Sequence, residues 1–491
     1  MYISGLPWST NTRMAIALGR YSTVVVTEDG DIFSCGDNSR GQLGLGHYVG
    51  QQKPVLVNDT ENVFKGEDAV MVAAGRVHAA CVTSDGCAWI WGNECASTHT
   101  ADNGFQTTAN ALRPRLIYTP AGVGRTAAVM MACGHNFSLL LTETGEVWGM
   151  GDDENGCLGR GPDDDVTNKS IMARINPVYL GGVDSERRPL VHIGMIGVGD
   201  YHSLAVESNG GRLWTWGRNS AGQLGHGNHG CTTNRYLPTE INKHTFDVTT
   251  GQTVTADPVV FVDGSAATTM VVTASGAVWG CGDNQTGELG LGERRRYDTM
   301  QRVAGHETLG AGGARTVSCG PKHALVVTHT NNVWSCGRGI DPLLGTGMHQ
   351  QDSLVLTPLN REDFDDADVA IAVAGSTHSA AVTTSGRMYS WGLSSPHRVH
   401  NGMGLDCTQN QWTPCAIASC EMRRERVGRW HATRDATIIA FLLGQHNRLG
   451  ILASNRGLCE GTLTIILENL RFKCREGTSK GLARLMGFSA S

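Results

Sequence analysis

The sequence contains little charge and no long apolar run. Charged residues make up 18% of the 491 residues, the formal net charge is −6 and the isoelectric point is about 6.3. This balance gives no overall attraction to nucleic acid, so DNA or RNA binding would need a local basic patch. No stretch reaches membrane-spanning length, and the start, MYISGLPWSTNTRMAIAL, lacks the features of a secretory signal. We therefore expect a protein of the cytosol or the nucleus.

The sequence also lacks the common motifs of catalysis and metal binding. It has no Walker-type phosphate loop, no nucleophile elbow and no HExxH. None of its 15 cysteines forms a CxxC pair, and Cys407, Cys415 and Cys420 are irregularly spaced. The sequence therefore predicts no enzyme site, no cofactor and no metal.

Glycine, by contrast, is abundant, and many of the 64 glycines recur within one pattern. Its clearest copy is residues 196 to 227, IGVGDYHSLAVESNGGRLWTWGRNSAGQLGHG. Leu204 and Val206 share one strand face, Leu213 opens a second strand, and Asn-Gly-Gly supplies the turn of a hairpin. The QLG segment then makes a return turn in which glycine permits positive φ.

The chain carries seven copies of this pattern. They begin at Gly19, Gly75, Gly134, Gly199, Gly264, Gly320 and Gly375, which are separated by 56, 59, 65, 65, 56 and 55 residues. Short strands at a regular period predict an all-β propeller with one blade per copy. We expect an N-terminal segment at 1–14, the propeller at 15–420 and a C-terminal tail at 421–491. The tail contains two predicted helices, one at Thr433 to Leu443 and one around Leu463 to Leu470.

The repeat also resembles a known family. GxxH, an apolar strand and then xxGxVWxWGxNxxGQLGLG is similar to the repeat of the regulator of chromosome condensation family, over roughly residues 15 to 418. The resemblance implies a seven-bladed propeller. In that family one blade usually mixes strands from both termini, whereas here the first and last units each carry a full pattern, so the mode of closure stays open. Family members that sense ultraviolet light repeat a GWRH motif; here GRWH occurs once, at 428–431, so light sensing is not expected.

The variable residues after the repeat glycine are the candidate site. We expect them to ring the central opening on one face: Arg20, Arg76, His135, Asp200, Pro321 and Ser376, with Lys322 beside them. In the resembled family an acidic residue of GDxH contacts a Ran-type GTPase and helps to expel its nucleotide, and Asp200 in Gly199-Asp200-Tyr201-His202 matches that motif. We take Arg20, Arg76, His135, Asp200 and Lys322 as the partner-binding face, with Asp200 as the candidate exchange residue.

Other recurring residues have a structural interpretation. The GxxH histidines, His78, His202, His323 and His378, return in register, which favours hydrogen bonding within blades over catalysis. The strand tryptophans Trp89, Trp148, Trp214, Trp279 and Trp334 are predicted to pack in the core. Cys35, Cys281 and Cys336 stand where other copies have Trp91, Trp216 and Trp391, so we expect small buried residues in a reducing compartment.

Proline-containing segments predict the outer strand of each blade, because proline lacks the donor that a central strand needs. They are Lys53 to Val57, Arg113 to Ile117, Asn176 to Leu180, Leu237 to Ile241 and Thr413 to Ile417. Insertions at 162–189, 228–257 and 348–368 are expected to project together from one face. The basic runs Arg294-Arg295-Arg296 and Arg423-Arg424-Glu425-Arg426 are short, so nucleic-acid binding is not expected without a chromatin partner.

Two functions follow from these observations. The first is a non-catalytic propeller scaffold that binds a protein partner through one loop face. The alternative is a guanine-nucleotide exchange factor for a Ran-type small GTPase, which would open a nucleotide site without making or breaking a covalent bond. No membrane contact is expected.

Overall fold

Seven antiparallel sheets of the kind that the repeat predicts make up most of the described part of the protein, which is taken from a computed structural model. The described residues are 15–57, 63–64, 66–93, 111–121, 125–161, 171–182, 191–227, 234–250, 253–347, 351–393, 402–405 and 409–417, with the backbone of Tyr2–Ile3. They belong to the first of two units, Met1–Arg429. The second unit, Trp430–Ser491, lies outside the described residues, as do both predicted helices.

Each repeat forms a four-stranded blade in chain order from the centre outward. The inner strands are Ala15–Leu18, Ala69–Ala74, Ala128–Cys133, Ile193–Val198, Val259–Gly264, Ala314–Cys319 and Val369–Ala374. The second strands are Ser22–Val26, His78–Thr83, Phe137–Thr142, His202–Glu207, Thr268–Thr273, His323–Thr328 and His378–Thr383. The third strands are Ile32–Gly36, Ala88–Gly92, Val147–Gly151, Leu213–Gly217, Val278–Gly282, Val333–Gly337 and Met388–Gly392. The outer strands are Gln51–Leu56, Ala111–Tyr118, Ala173–Arg174, Arg235–Glu240, Tyr297–Ala304, Ser353–Pro358 and Gln411–Ala416.

Short elements fill some of the connections between blades. They are the 3-10 helices Pro177–Leu180, Lys243–Phe246 and Arg361–Phe364, the α-helical turn His306–Leu309, and the hairpin of Val248–Thr250 and Thr253–Thr255. A two-residue strand, Tyr2–Ile3, pairs with Ala73 and Ala74 of blade 2. Its backbone also lies beside the inner strands of blades 1, 3, 5, 6 and 7, within the ring.

The ring closes by side-to-side packing of blade 7 on blade 1, not by sharing strands within a blade. Leu18 and Phe33 of blade 1 belong to one apolar cluster with Ile371 and Met388 of blade 7. The Thr377 hydroxyl donates to the Arg20 carbonyl at 3.0 Å. The same kind of apolar layer joins the other blades, so the core is a series of inter-blade layers.

The repeated polar residues of the motif form local hydrogen bonds in blade 4. The Asn219 side chain accepts a hydrogen bond from the Leu224 backbone at 3.1 Å, and Gln223 accepts one from Ala221 at 2.8 Å. Gly217 and Gly225 adopt φ of 101° and 74°, which confirms the need for glycine in this return turn. The QLG segment is therefore a self-bonded turn that supports the blade.

Cysteine replaces tryptophan at one position that joins neighbouring blades. The buried Trp216 ring donates its N–H to the carbonyl of Cys157 in the preceding blade at 2.8 Å. In blade 5 the thiol of Cys281 points at the equivalent carbonyl, that of Gln223, at 3.4 Å. The prediction that Cys35, Cys281 and Cys336 are buried is confirmed. Among the other predicted core rings, Trp89 and Trp214 are buried, and Trp148, Trp279 and Trp334 are partly buried.

The GxxH histidines bond between blades, so the expectation of bonds within a blade was wrong. Nε2 of His202 in blade 4 lies 2.9 Å from the Thr269 hydroxyl of blade 5. His78, His323 and His378 contact Ser138, Ser379 and Thr23 of the next blade in the same way. Burial lowers the pKa of His78, His202 and His323 to about 3 and that of His378 to about 4, so all four are neutral. These four side chains therefore link neighbouring blades of the ring.

Two other predictions need correction. Asn176 to Leu180 is not the outer strand of blade 3, because Asn176 caps a 3-10 helix with Pro177 in its first turn, and the strand is Ala173–Arg174. The insertions do not share one face. Neighbouring strands of a blade run in opposite directions, so the connection that leads into an outer strand lies at one end of the ring. The connection that follows the outer strand, such as Arg361–Phe364, lies at the other end.

Candidate functional site

Two backbone hydrogen bonds recur in all seven blades and define one end of the ring. In blade 4 the Gly199 N–H donates to the His202 carbonyl at 2.7 Å, which closes the loop between inner and second strand. The Arg218 N–H then donates to the Tyr201 carbonyl at 2.8 Å, which ties the end of the third strand to the same loop. Each blade therefore presents three side chains here, two from the loop and one after the third strand. We call this end the loop face.

The three loop-face positions are equivalent from blade to blade. They are Arg20, Tyr21 and Asp37; Arg76, Val77 and Asn93; His135, Asn136 and Asp152; Asp200, Tyr201 and Arg218; Ala266, Ala267 and Asp283; Pro321, Lys322 and Arg338; and Ser376, Thr377 and Leu393. The predicted site residues thus all lie at this end. In blade 5 the hydrogen bond that closes the loop is donated by the Ser265 N–H. Ser265, and not Gly264, therefore occupies the position of the repeat glycine.

Close approach, and not positive φ, requires glycine at the start of the loop. A Cβ atom on Gly199 would overlap the imidazole of His202 and lie 2.5 Å from the carbonyl oxygen of Ser265 in the next blade. Blade 5 carries Ser265 at this place and Thr268 where His202 stands, so the smaller side chain leaves room. The loops of adjacent blades therefore touch through their backbones.

His135 and Tyr201 join the loops of blades 3 and 4. Their rings meet edge to face with centroids 4.9 Å apart, and the Tyr201 hydroxyl is hydrogen bonded to Nδ1 of His135. The His135 backbone N–H also donates to the Asp200 carbonyl at 3.0 Å. These contacts hold an aromatic pair at the loop face between two blades.

Charged side chains from blades 1, 2 and 4 lie near this pair. Burial and the nearby Arg76 lower the pKa of His135, Asp200 opposes this, and Arg20 adds a smaller lowering. Burial and Asp200 raise the pKa of Tyr201, and the guanidinium groups of Arg76 and Arg218 oppose the rise. We call Arg20, Arg76, His135, Asp200, Tyr201 and Arg218 the open cluster. The lowered pKa leaves the His135 imidazole uncharged at neutral pH.

The charges of the open cluster are not neutralised by ion pairs. The Arg20 guanidinium lies over the Tyr21 ring at 5.0 Å and that of Arg218 over the Tyr201 ring at 5.5 Å. Within the part of the chain that the structure describes, Arg20, Arg76 and Arg218 contact no carboxylate, and Asp200 contacts no cationic group within ion-pair distance. The cluster combines unpaired charge of both signs with aromatic surface.

The structure does not bring Lys322 to the other predicted site residues. Its ammonium lies 3.8 Å from Asp341, which Arg338 also contacts at 2.9 Å. In blade 5 the loop carries only Ala266 and Ala267. We call this loop face of blades 5 and 6 the paired half.

The first basic run is neutralised by acidic neighbours. Arg294 contacts Asp352 at 2.8 Å, Arg295 contacts Glu293 at 3.0 Å and Arg296 contacts Asp283 at 3.1 Å. A phosphate would have to compete with these carboxylates. The second run, Arg423 to Arg426, lies outside the described residues.

Three findings on the described residues concern metal binding, thiol reactivity and membrane spanning. No group of three or more His, Cys, Asp or Glu side chains among them could hold a metal ion. Burial raises the pKa of the Cys35 and Cys336 thiols to about 12, which removes them as nucleophiles. Of the helices in the described ranges, none has the length and apolarity to cross a membrane.

Sequence reasoning missed Tyr201 and Arg218, which complete the open cluster. Tyr201 occupies the second variable place of GxxH, and Arg218 directly follows Trp216-Gly217. Aligning the residue after the glycine that ends each third strand would have marked a second ring of variable positions. Only the recurring hydrogen bond between them places both rings on one face.

Comparisons with protein-family models agree with the repeat. Two models, each described as the regulator of chromosome condensation (RCC1) repeat, match the chain. One matches residues 29–82, 210–256 and 275–327, and the other 15–42, 131–157, 196–223 and 369–395. The matches fall in blades throughout the ring.

Curated relatives are of three kinds. The ultraviolet-B receptor UVR8 of Arabidopsis thaliana is 26% identical over 68% of this chain and 67% of its own length. The probable E3 ubiquitin-protein ligase HERC6 of Homo sapiens is 27% identical over 74% of this chain and 32% of its own length. The mitochondrial RCC1 domain-containing protein RUG3 of Arabidopsis thaliana is 26% identical over 56% and 55%. The chain thus spans only about a third of the ligase and half of RUG3.

Solved structures share the fold. Human WBSCR16 aligns with a TM-score of 0.62 and 20% identity, covering 79% of this chain and 94% of that one. Prp20p from Saccharomyces cerevisiae, whose description includes binding to Gsp1p and histones, aligns with a TM-score of 0.59 and 18% identity over 74% and 80%. At these identities the likeness concerns the fold alone.

Proposed function

Because this chain belongs to the regulator of chromosome condensation repeat family, we propose that it is a non-catalytic scaffold that binds a protein partner through its loop face. The open cluster is the centre of that contact. The observation that carries the proposal is its content of arginine and tyrosine with unsatisfied charge, since these residue types dominate the energetics of protein interfaces. The cytosol or the nucleus is the proposed compartment, and the buried free thiols of residues such as Cys35, Cys281 and Cys336 support it.

A stable frame supports this role. The backbone of each loop is held by its own hydrogen bond, and the Arg76 and His135 N–H groups also donate to the loop of the next blade, so the side chains of the cluster are positioned before a partner arrives. Preorganisation of this kind reduces the entropy lost on binding. One protein with the same fold, the yeast RCC1 Prp20p, is described with protein partners: Gsp1p and histones in one structure and Kap60 in another.

The second candidate is exchange of guanine nucleotide on a Ran-type small GTPase. Asp200 occupies the acidic position of Gly199-Asp200-Tyr201-His202, and its carboxylate is half-buried and unpaired among the described residues. A GTPase holds its nucleotide through Mg²⁺ and a phosphate-binding loop. A carboxylate that competes for the cationic groups of that loop, or for the metal, would weaken nucleotide binding.

Partner capture tests the scaffold. The full chain, an Arg76→Ala/Arg218→Ala variant and an Arg302→Ala/Arg361→Ala control would be used to retain cross-linked proteins from cell extract, with quantification by mass spectrometry. The control removes the same charge from arginines that pair with Glu307 and Asp368 away from the loop face. We expect proteins that the wild type and the control retain and the cluster variant loses. A set that is the same for all three forms would contradict the proposed contact.

Nucleotide release tests the alternative. Release of a fluorescent GDP analogue from Ran-type and other small GTPases would be followed with the wild type, Asp200→Ala and Asp363→Ala. Asp363 lies in the 3-10 helix at the opposite end of the ring, so its variant should behave as the wild type does. Catalytic acceleration that only Asp200→Ala loses would establish exchange. Absence of acceleration with every GTPase, for a folded protein, would leave the scaffold.

A further inference from the structure

Resting on the proposed function, we infer that the segment seated on the open cluster is an acidic stretch of the partner protein that also carries at least one basic side chain. The acidic residues pair with Arg20, Arg76 and Arg218, and the basic one pairs with Asp200. The inference concerns the chemistry of the partner, which the proposed function leaves open.

The first argument is the contrast between arginines on this chain. Nine arginines elsewhere in the described part of the chain contact a carboxylate: Arg174, Arg212, Arg294, Arg295, Arg296, Arg302, Arg338, Arg361 and Arg387. Arg20, Arg76 and Arg218 contact none among the described residues. An incoming carboxylate can pair with these three without breaking an existing ion pair, whereas at any of the nine it must first displace one.

The second argument is orientation. Tyr21 and Tyr201 lie under the Arg20 and Arg218 guanidinium groups, at 5.0 and 5.5 Å from ring centroid to guanidinium carbon. A guanidinium held over an aromatic ring loses little of its hydrogen-bonding capacity, because its N–H groups point outward in its own plane. Bidentate pairing with a carboxylate uses that edge. The rings therefore prepare two cations for planar acidic groups.

The third argument separates a protein segment from nucleic acid. Asp200 is unpaired and close enough to His135 and Tyr201 to affect the pKa of both, and Asp152 acts on the same two side chains. A phosphodiester backbone carries negative charge at every residue and would place some of it against these carboxylates. A polypeptide can put acidic and basic side chains in turn, so it can satisfy Arg76, Arg218 and Asp200 together.

The paired half limits the contact to blades 1 to 4. Lys322 and Arg338 already share Asp341, and the blade 5 loop presents only Ala266 and Ala267. An acidic segment gains little there, since its carboxylates would compete with Asp341. The binding surface is therefore one side of the loop face and not the full ring.

Direct binding of defined probes tests the inference. The full chain would be titrated, by fluorescence anisotropy, against a short labelled peptide of Asp, Glu and Gly with one central Lys. Control probes are the same peptide with Asn and Gln for the acids, the same peptide with Glu for Lys, and a single-stranded oligodeoxynucleotide. We expect Arg76→Ala and Arg218→Ala each to weaken binding of the first peptide by about tenfold, the equivalent of 1.4 kcal/mol. Arg302→Ala should change it by less than about twofold.

The basic side chain of the peptide provides a second, internal test. Replacing Lys by Glu in the peptide should weaken binding to the wild type several-fold. The same replacement should have a smaller effect on an Asp200→Asn variant, because the pair is already broken. Thermal unfolding of each variant would show that the ring is intact.

Three outcomes would overturn the inference: equal binding of the acidic and the neutral peptide, tighter binding of the oligonucleotide, or equal losses for Arg76→Ala and Arg302→Ala. Failure of the peptide alone, with partner capture still sensitive to Arg76 and Arg218, would remove the acidic segment and leave the scaffold in place. Loss of both responses would remove the proposed contact as well.

Discussion

The open cluster in blades 1 to 4 and the paired half in blades 5 and 6 occupy equivalent positions of one backbone frame. In both, the same two hydrogen bonds present the same three side chains per blade. In the first, Arg76, Arg218 and Asp200 have no ion-pair partner among the described residues; in the second, Lys322 and Arg338 share an ion pair with Asp341. The comparison shows that the repeat determines where a side chain stands, and that local pairing determines whether it is available to a partner.

The frame itself tolerates substitutions that keep its contacts. Blade 5 lacks the loop glycine, the GxxH histidine and the tryptophan of the Trp216 position, yet its strands keep the same pairing. Ser265, Thr268 and Cys281 occupy those places, and each is small enough for the adjacent blade. Differences between the two regions therefore concern the surface and leave the architecture unchanged.

Acidification should break the frame that both regions share, and this is the largest effect that we expect. The folded pKa of His78, His202 and His323 is about 3, below the unfolded value of about 6.5. Stability from these neutral histidines is complete above about pH 6.5 and is lost as the pH falls toward 3. At about pH 5 the loss is about 2 kcal/mol for each histidine.

Urea unfolding at about pH 7.5 and about pH 5 would measure this loss. A His202→Gln variant cannot take up the proton and still offers a donor to Thr269, so it should lose about 2 kcal/mol less than the wild type over the same interval. Equal losses for the two proteins would show that His202 does not contribute as described.

A methyl group on Gly199 should separate blade 4 from blade 5. We expect Gly199→Ala to lower the free energy of unfolding by about 1–3 kcal/mol, because the new Cβ meets His202 and the Ser265 carbonyl. Adding His202→Thr, the residue type of blade 5, should restore part of it. Ser265→Ala is the matched control and should cost less than about 0.5 kcal/mol, since its hydroxyl has no hydrogen-bond partner among the described atoms. An unchanged midpoint for Gly199→Ala would refute the close approach.

Removing the ion pairs of the paired half should make its cations available, as those of the open cluster are. This is the smallest of the effects that we expect. Asp341→Asn removes the carboxylate shared by Lys322 and Arg338. We expect affinity for the acidic peptide to rise about threefold, with a steeper dependence on salt, because the freed cations are exposed to solvent. Asp363→Asn, at the opposite end of the ring, is the control and should leave affinity unchanged. No gain for Asp341→Asn would mean that pairing does not limit this surface.

Much of the fold could be predicted from the sequence because each feature is repeated. Seven copies of one hairpin and return turn indicate seven blades, and the positions of Gly217 and Gly225 follow from the turn that each copy needs. Burial of Cys281 follows from its place in the Trp216 register. The outer strand of blade 3 was missed because Asn176 and Pro177 favour a helical turn over an edge strand.

The candidate site was predictable only as a set of positions. The sequence marked Arg20, Arg76, His135 and Asp200 through their variability after a repeated glycine. In the structure the charges of Arg20, Arg76 and Asp200 lie close enough to His135 to affect the pKa of its imidazole. It also grouped Lys322 with them, although the ion pair with Asp341 binds that side chain elsewhere. Tyr201 and Arg218 needed the hydrogen bond that joins two distant parts of a blade.

The sequence alone determined the number of blades, the order of strands and the first variable position of the loops, because these depend on local pattern and repetition. The tertiary structure decided three things: that His202 bonds to the next blade, that blade 7 packs on blade 1 without sharing strands, and which charges remain unpaired. These depend on contacts between residues that are about one repeat apart in the sequence or that lie in the first and the last repeat. No local pattern encodes such distances, since they exist only once the ring has closed.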